Sequence, residues 1–264
     1  GAGSGLGRAL ALHYALRGCD VCVADRDSEA GHQTVELIDE TQGTAFFEEC
    51  DISSQSSVDA LVASLQSRWQ SVDVLINNAG VATAGSLDSE SMEQWQWVVD
   101  INLLGQVRMT QAILPLIRRS NAYHRSIINI ASQAGLTPAG YMGSYCVTKA
   151  GLIAFAEGAH FELASENIHV SVVCPAFFAT NLHRSLRTGQ DELRAIVNKM
   201  VGESDITAAS VAEQIVEANE ARKFLILTHK DSRRAHLLKR LLPNAWYLRS
   251  VKKQVAKFMR NASE

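Results

Sequence analysis

Hydrophobic and polar positions along the chain fall into two rhythms. Short apolar runs rich in β-branched residues recur at Val21–Ala24, Val74–Ile76, Ser126–Ile130, His169–Cys174 and Phe224–Leu227. Such runs predict strands buried on both faces. Longer segments between them carry helical spacing: Leu6–Arg17, Val58–Trp69, Trp95–Ile117 and Ser144–Ser165. In the second of these, apolar residues at 58, 61, 62, 65 and 69 form one stripe. Strand and helix in alternation predict an α/β fold, with a doubly wound parallel sheet and helices on both faces. None of the four prolines marks a boundary. Residues 1–228 therefore read as one domain and 229–264 as an appended tail.

The 264 residues are 47% hydrophobic and 20% charged, which excludes disorder and a disulfide scaffold as descriptions of the whole. No apolar stretch is long enough to span a membrane. The glycine-rich opening is no signal peptide. The five cysteines (Cys19, Cys22, Cys50, Cys146, Cys174) read as buried free thiols in a reducing compartment, so the expected location is the cytoplasm. No cysteine or histidine spacing completes a metal set. The net charge of -3 gives no reason to expect nucleic acid, but it is unevenly spread. Residues 222–264 carry twelve Lys/Arg against two acids, a local net of +10, and residues 1–221 carry -13.

That basic tail has two helical pieces. Ser232–Leu242 places Leu237, Leu238, Leu241 and Leu242 on one face, and Pro243 ends it. Asn244 can cap a second helix with Leu248, Val251, Val255 and Phe258 at helical spacing, decorated by Arg249, Lys252, Lys253, Lys257 and Arg260. Such a helix can lie on an anionic membrane surface. It can equally pack its apolar stripe on its own subunit or a partner.

The candidate chemistry begins at the first residue. Gly1-Ala2-Gly3-Ser4-Gly5-Leu6-Gly7 leads straight into the first helix. Glycines allow a tight turn there, and backbone N–H groups at a helix N-terminus suit a pyrophosphate. Asp25 stands about 20 residues on, at a strand end, where a carboxylate accepts from both ribose hydroxyls of an adenosine and repels a 2′-phosphate. This favours NAD over NADP, although the adjacent Arg26 could pair with such a phosphate. Asp51, followed by Ile52, is placed to accept from an adenine amino group or to cap the next helix. The block Asn77-Asn78-Ala79-Gly80 is small enough to lie against a cofactor ribose. The fold also calls for a strand ahead of Gly1, because a glycine turn joins a strand to its helix.

Tyr145 and Lys149 are four apart, so a helix puts them on one face. A neighbouring ammonium favours the phenolate. Ser132 follows the strand ending at Ile130, where its hydroxyl can reach a carbonyl. Asn102 sits inside the predicted helix Trp95–Ile117, a poor place for Asn, which hints at a polar task or a kink. Taken together, the glycine turn, Asp51, Asn77–Gly80, Asn102, Ser132, Tyr145 and Lys149 resemble the short-chain dehydrogenase/reductases over about residues 1–228.

The resemblance implies a Rossmann-like domain, a homodimer or homotetramer built on the two longest helices, and hydride transfer without a metal. By it, Tyr145 is the general acid/base, and Lys149 binds the nicotinamide ribose and lowers the Tyr145 pKa. Ser132 polarises the carbonyl, and Asn102 holds a relay water. Gly1, Ser4, Gly5, Leu6, Gly7, Asp25, Arg26, Asp51, Ile52, Asn78, Ala79, Gly80, Pro175, Phe178 and Thr180 would meet the cofactor. Two departures stand out: Pro175-Ala176 replaces the family's Pro-Gly, and the threonine that normally precedes Gly1 is missing.

Substrate would meet Ala134, Leu136, Pro138, Tyr141 and Met142 on one side and Phe177, Phe178 and Leu182 on the other. These favour an apolar secondary alcohol or ketone, unless they are merely the underside of a lid. Two alternatives stand beside this reading. One is a 3-oxoacyl-thioester reductase using NADPH, its basic tail attracting an acidic carrier. The other is an inactive dinucleotide-binding scaffold or sensor, which has no chemical need for the intact set Asn102–Ser132–Tyr145–Lys149.

Overall fold

The computed structural model describes residues 1–176, 178, 185–202, 204 and 206–262. Among them, parallel strands stand in two sheets. One pairs β1 (Asp20–Asp25) with β2 (Thr44–Glu49). The other runs in the order β3 (Val74–Asn77), β4 (Arg125–Ile130), β5 (Ile168–Val173) and β6 (Leu225–Ile226). Every residue of β5 is buried, as a parallel strand covered on both faces should be. The strand expected ahead of Gly1 lies outside these residues.

Helices cover both faces. On one, α3 (Gln55–Arg68), α5 (Gln106–Arg119) and α7 (Gly143–Leu163) bury Val58, Leu61, Leu65, Ile113, Leu116, Ile117 and Leu152 against Ile127, Val170 and Val172. On the other, α1 (Gly5–Ala15) and α9 (Ala208–Glu220) bury Leu10, Val211, Ile215 and Val216 against Ile128 and Val173. Full burial of each such side chain contributes about 1.5–3 kcal/mol. Beside α1, α2 (Ser28–Asp39) packs Ile38 on Val23. Side chains start several helices: Asp27 accepts from Ala30 N, Ser54 from Ser57 N and Thr207 from Ser210 N.

Several features differ from the sequence reading. The segment Trp95–Ile117 is not one regular helix. It comprises α4 (Met92–Val99), a π-helical turn Asp100–Gly105 and α5. The wider turn lets the fully buried Asn102 reach sideways, where its amide grips the Val81 backbone: Nδ2 donates to Val81 O (2.9 Å), and Oδ1 accepts from Val81 N (2.8 Å). Cys19 is exposed rather than buried, Cys22 is half-buried, and Cys50, Cys146 and Cys174 are buried; all five are free thiols.

The tail is helical, as α10 (Lys230–Leu241) and α11 (Asn244–Ala262), joined through Pro243. It folds back onto the body. Ser232 Oγ donates to Gln133 Oε1 (2.5 Å), and Lys239 Nζ donates to Leu136 O. The four leucines of α10 do not share one environment. Leu238 and Leu242 line the main cleft, although Leu238 is itself about half exposed, whereas Leu237 and Leu241 are exposed and do not line it. Helical spacing accounts for this: 238 and 242 are one turn apart on one side, and 237 and 241 on the next.

Candidate active site

The parallel strands bring their carboxyl ends to one side, where a cleft of about 1540 Å³ opens. Ligands of open α/β sheets sit at such a place. The volume exceeds the 300–1,000 Å³ usual for one drug-sized ligand, which leaves room for a cofactor and a substrate together.

At one end lies the glycine turn. Gly5 takes φ +52°, a left-handed conformation that favours glycine. Ser4, the N-cap of α1, makes no side-chain cap bond. Ser4, Gly5 and Leu6 line the cleft, so the unpaired first-turn N–H groups of α1 stand beside it. Gly7 has another part. It is absent from the cleft wall, and a Cβ there would lie 1.9 Å from Gly1 O and 2.6 Å from Asn78 Nδ2. It lets α1 approach the turn and the end of β3, where Asn78 Nδ2 donates to Gly1 O (2.7 Å).

Asp25 ends β1 and faces the cleft. Its Oδ2 accepts from Gly3 N (2.8 Å) and its Oδ1 from Asp27 N (3.0 Å). Burial alone would raise its pKa. The two N–H groups of Gly3 and Asp27 oppose that rise. Each oxygen keeps a free lone pair for a hydroxyl donor. Arg26, Asp51, Ile52, Ala79 and Gly80 also line the cleft. Asp51 Oδ1 is taken by Ser53 N and Oγ, and Ser54 caps α3, so Asp51 is not that helix's cap.

At the other end, β4 delivers Ser132 and α7 delivers Tyr145 and Lys149, all in the cleft wall. Ser132 caps the short helix α6 (Gln133–Leu136), accepting from Ala134 N (3.1 Å), and its hydroxyl also hydrogen-bonds Tyr145. Burial pushes the Tyr145 phenol up to about 12, the Ser132 bond opposing it. Burial brings the Lys149 ammonium down to about 8. Its Nζ donates to Ile130 O (2.9 Å) and stands 5.8 Å from the Tyr145 ring centre. The expected lowering of Tyr145 by Lys149 is therefore not what this form of the protein displays. Both groups are desolvated, and the ammonium is turned to a carbonyl.

Asn102 is not in the cleft wall. It stands behind Gly80, where a Cβ would meet both Asn102 Oδ1 (3.3 Å) and Lys149 Nζ (3.4 Å). Its side chain is spent on Val81, so any relay water would need another group of this residue.

Among the expected substrate contacts, Ala134, Pro138, Tyr141 and Met142 line the cleft. Tyr141 is held at φ +62°, a conformation costing about 1–3 kcal/mol in a non-glycine residue. Leu136 does not line it; the α6 turn directs it into the core under α7. Pro175 and Phe178 line the cleft, while Phe177, Thr180 and Leu182 fall outside the described residues. Ala176 is not among the residues with positive φ, so its methyl group is tolerated, and its N–H donates to His229 Nδ1 (3.3 Å).

The sequence reading missed several parts of this wall. Arg8 donates to Gly3 O, Ala30 O and Thr34 Oγ1, tying α1 to α2 beside the turn. Leu193, Ile196, Val197 and Val201 of α8 (Asp191–Gly202) line the substrate end, as do Tyr247, Val251 and Val255 of α11. The apolar stripe of α11 was legible, but its target was not, and the sequence reading gave no helix for α8. Glu90 accepts from Ser144 N (3.1 Å) and Ser144 Oγ (2.8 Å), fixing the start of α7 next to Tyr145.

Residues 1–191 match the short chain dehydrogenase family. The chain belongs to the short-chain dehydrogenase/reductases. It is an oxidoreductase acting between CH–OH and keto groups with a nicotinamide dinucleotide. A 3-oxoacyl-[acyl-carrier-protein] reductase of Synechocystis sp. is 34% identical over 187 residues, 70% of this chain and 75% of that one. A short-chain dehydrogenase/reductase of Burkholderia phymatum, solved in complex with NAD, superposes with a TM-score of 0.86 at 29% identity, covering 91% and 90% of the two chains. An actinorhodin polyketide ketoreductase solved with NADPH gives 0.75 at 28% identity, covering 86% and 92%.

Proposed function

We propose that this short-chain dehydrogenase/reductase interconverts an apolar secondary alcohol and its ketone with NAD(H). The observation that carries the proposal is one continuous cleft joining Asp25 and the glycine turn to Ser132, Tyr145 and Lys149. The residues fit a dinucleotide: first-turn N–H groups of α1 beside the cleft, an acid with open lone pairs, and glycines that let the turn, α1 and the end of β3 pack closely. Bound there, the nicotinamide supplies or accepts the hydride.

The chain's own residues do the rest. Ser132 donates to the substrate oxygen and orients it. Tyr145, protonated at neutral pH in this form, holds the proton that oxygen receives in reduction and takes it back in oxidation. Lys149 binds ribose hydroxyls. Leu193, Val197, Val201, Val251 and Val255 provide an apolar wall that excludes water. We also infer that copies associate through the π-helical turn and α7, where Leu104, Val147 and Phe161 are exposed.

A second reading, reduction of a 3-oxoacyl thioester with NADPH, draws on Arg26, Lys230 and Arg233 in the cleft wall. Asp25 opposes a 2′-phosphate. Titration of the purified protein with NADH and NADPH, followed by nicotinamide fluorescence, decides between them. NADH should bind more tightly, and Asp25→Ala should weaken NADH by roughly ten- to a hundredfold, the value of hydrogen bonds to a charged group. Tighter NADPH would mean that Arg26 overrides Asp25 and would favour the thioester.

A further inference from the structure

The reaction uses only the inner side of the C-terminal helices. On α11, Tyr247, Val251 and Val255 recur every fourth residue and line the cleft. Arg249, Lys252 and Lys253 lie on the opposite side by helical spacing. The elbow between α10 and α11 also exposes large apolar side chains. Leu237 is 56% exposed, Leu241 72%, Trp246 70% and Leu248 63%. Four such residues lie within twelve positions, in a segment of net charge +10 on an otherwise acidic chain.

We propose that this elbow docks on the surface of an anionic lipid bilayer. Leu237, Leu241, Trp246 and Leu248 enter the acyl boundary, and Arg249, Lys252 and Lys253 meet the headgroups. The combination selects the occupant. Lysines and arginines alone would suit any polyanion, but a nucleic acid offers no hydrocarbon for exposed leucines. A second copy of the chain has another apolar face at Leu104, Val147 and Phe161. No described helix is long and apolar enough to cross a membrane, so the contact is peripheral. Because α10 and α11 also wall the cleft, docking sets its entrance beside the phase in which apolar substrates dissolve. The docking itself does not depend on the reaction assigned above.

The test uses the full chain and sedimentation with two vesicle types, phosphatidylcholine alone and phosphatidylcholine mixed with phosphatidylserine. The protein should pellet with the mixed vesicles, less so as salt rises, and stay largely in solution with the neutral ones. Neutralising three basic residues (Arg249→Gln, Lys252→Gln, Lys253→Gln) should lower partitioning about a hundredfold, at about 1 kcal/mol per charge. The pair Leu241→Glu and Trp246→Glu should abolish it. Unchanged NADH fluorescence titrations in both variants would establish that the fold survives. Equal recovery in both supernatants, or variants that pellet like the parent, overturns the proposal. A fall in mass on light scattering caused by the pair would do so as well, since it assigns the face to a second copy.

Discussion

At the scale of single residues, burial outweighs neighbouring charge. Tyr145 and Lys149 share a helix face, yet both are desolvated, and each is pushed toward its neutral form. The consequence for Lys149 can be measured. Its ammonium falls from 10.5 to about 8 on folding. Between those values the folded chain binds fewer protons at this group than the unfolded chain, so its contribution to stability rises with pH over that window. Cys22 and Cys174, pushed up to about 12 by burial, act in the opposite sense above pH 9. Cys22 does so in parent and variant alike, whereas Cys174 lies in the field of Lys149, so the window below pH 9 is the cleaner one. Urea midpoints of the parent relative to Lys149→Met should therefore climb from about pH 8 to about pH 10.5; a constant difference would show that Lys149 is not desolvated. The residue types and spacings of the site were legible because a glycine turn, an acid at the next strand end and a Tyr–Lys pair on one helix face seldom coincide without a shared chemistry. The desolvation was not, since it depends on what the chain folds over them.

At the scale of elements, the apolar runs located β1 and β3–β6 but not β2, and helical spacing located α1, α3, α5, α7, α10 and α11 but could not reveal the π-helical turn. That turn holds one buried amide, Asn102 bonded to Val81, and the sequence offered only an Asn in an awkward place. The C-terminal stripes were equally visible, yet their target was not, because a stripe does not say what it covers. Val255 lies 3.4 Å from the position of a Cβ on Gly140, across the cleft mouth. Val255→Trp should thus narrow the entrance. For a series of 2-alkanones, kcat/KM should fall about tenfold or more for long chains and little for the shortest, through overpacking of order 1–3 kcal/mol. A uniform change along the series would place α11 away from the substrate path.

At the scale of the whole molecule, the sheet, the cleft and the charge divide serve one arrangement. Strand ends gather the glycine turn and Ser132, Tyr145 and Lys149 on one side, and residues of α10 and α11 line the cleft there. The alternation of strands and helices made this architecture legible, and the family match over residues 1–191 agrees with it. Substrate identity was not legible, because the wall comes from α8, α10 and α11, whose sequences carry no motif. The central claim is that Tyr145 transfers the proton at a site that binds the cofactor without its hydroxyl. The most direct measurement compares NADH consumption with a 2-alkanone panel, and NADH fluorescence titration, for the parent and Tyr145→Phe. The account predicts a turnover loss of about 10²–10⁴-fold, with NADH affinity within about twofold of the parent by the same general acid–base logic. Turnover retained in Tyr145→Phe would contradict it.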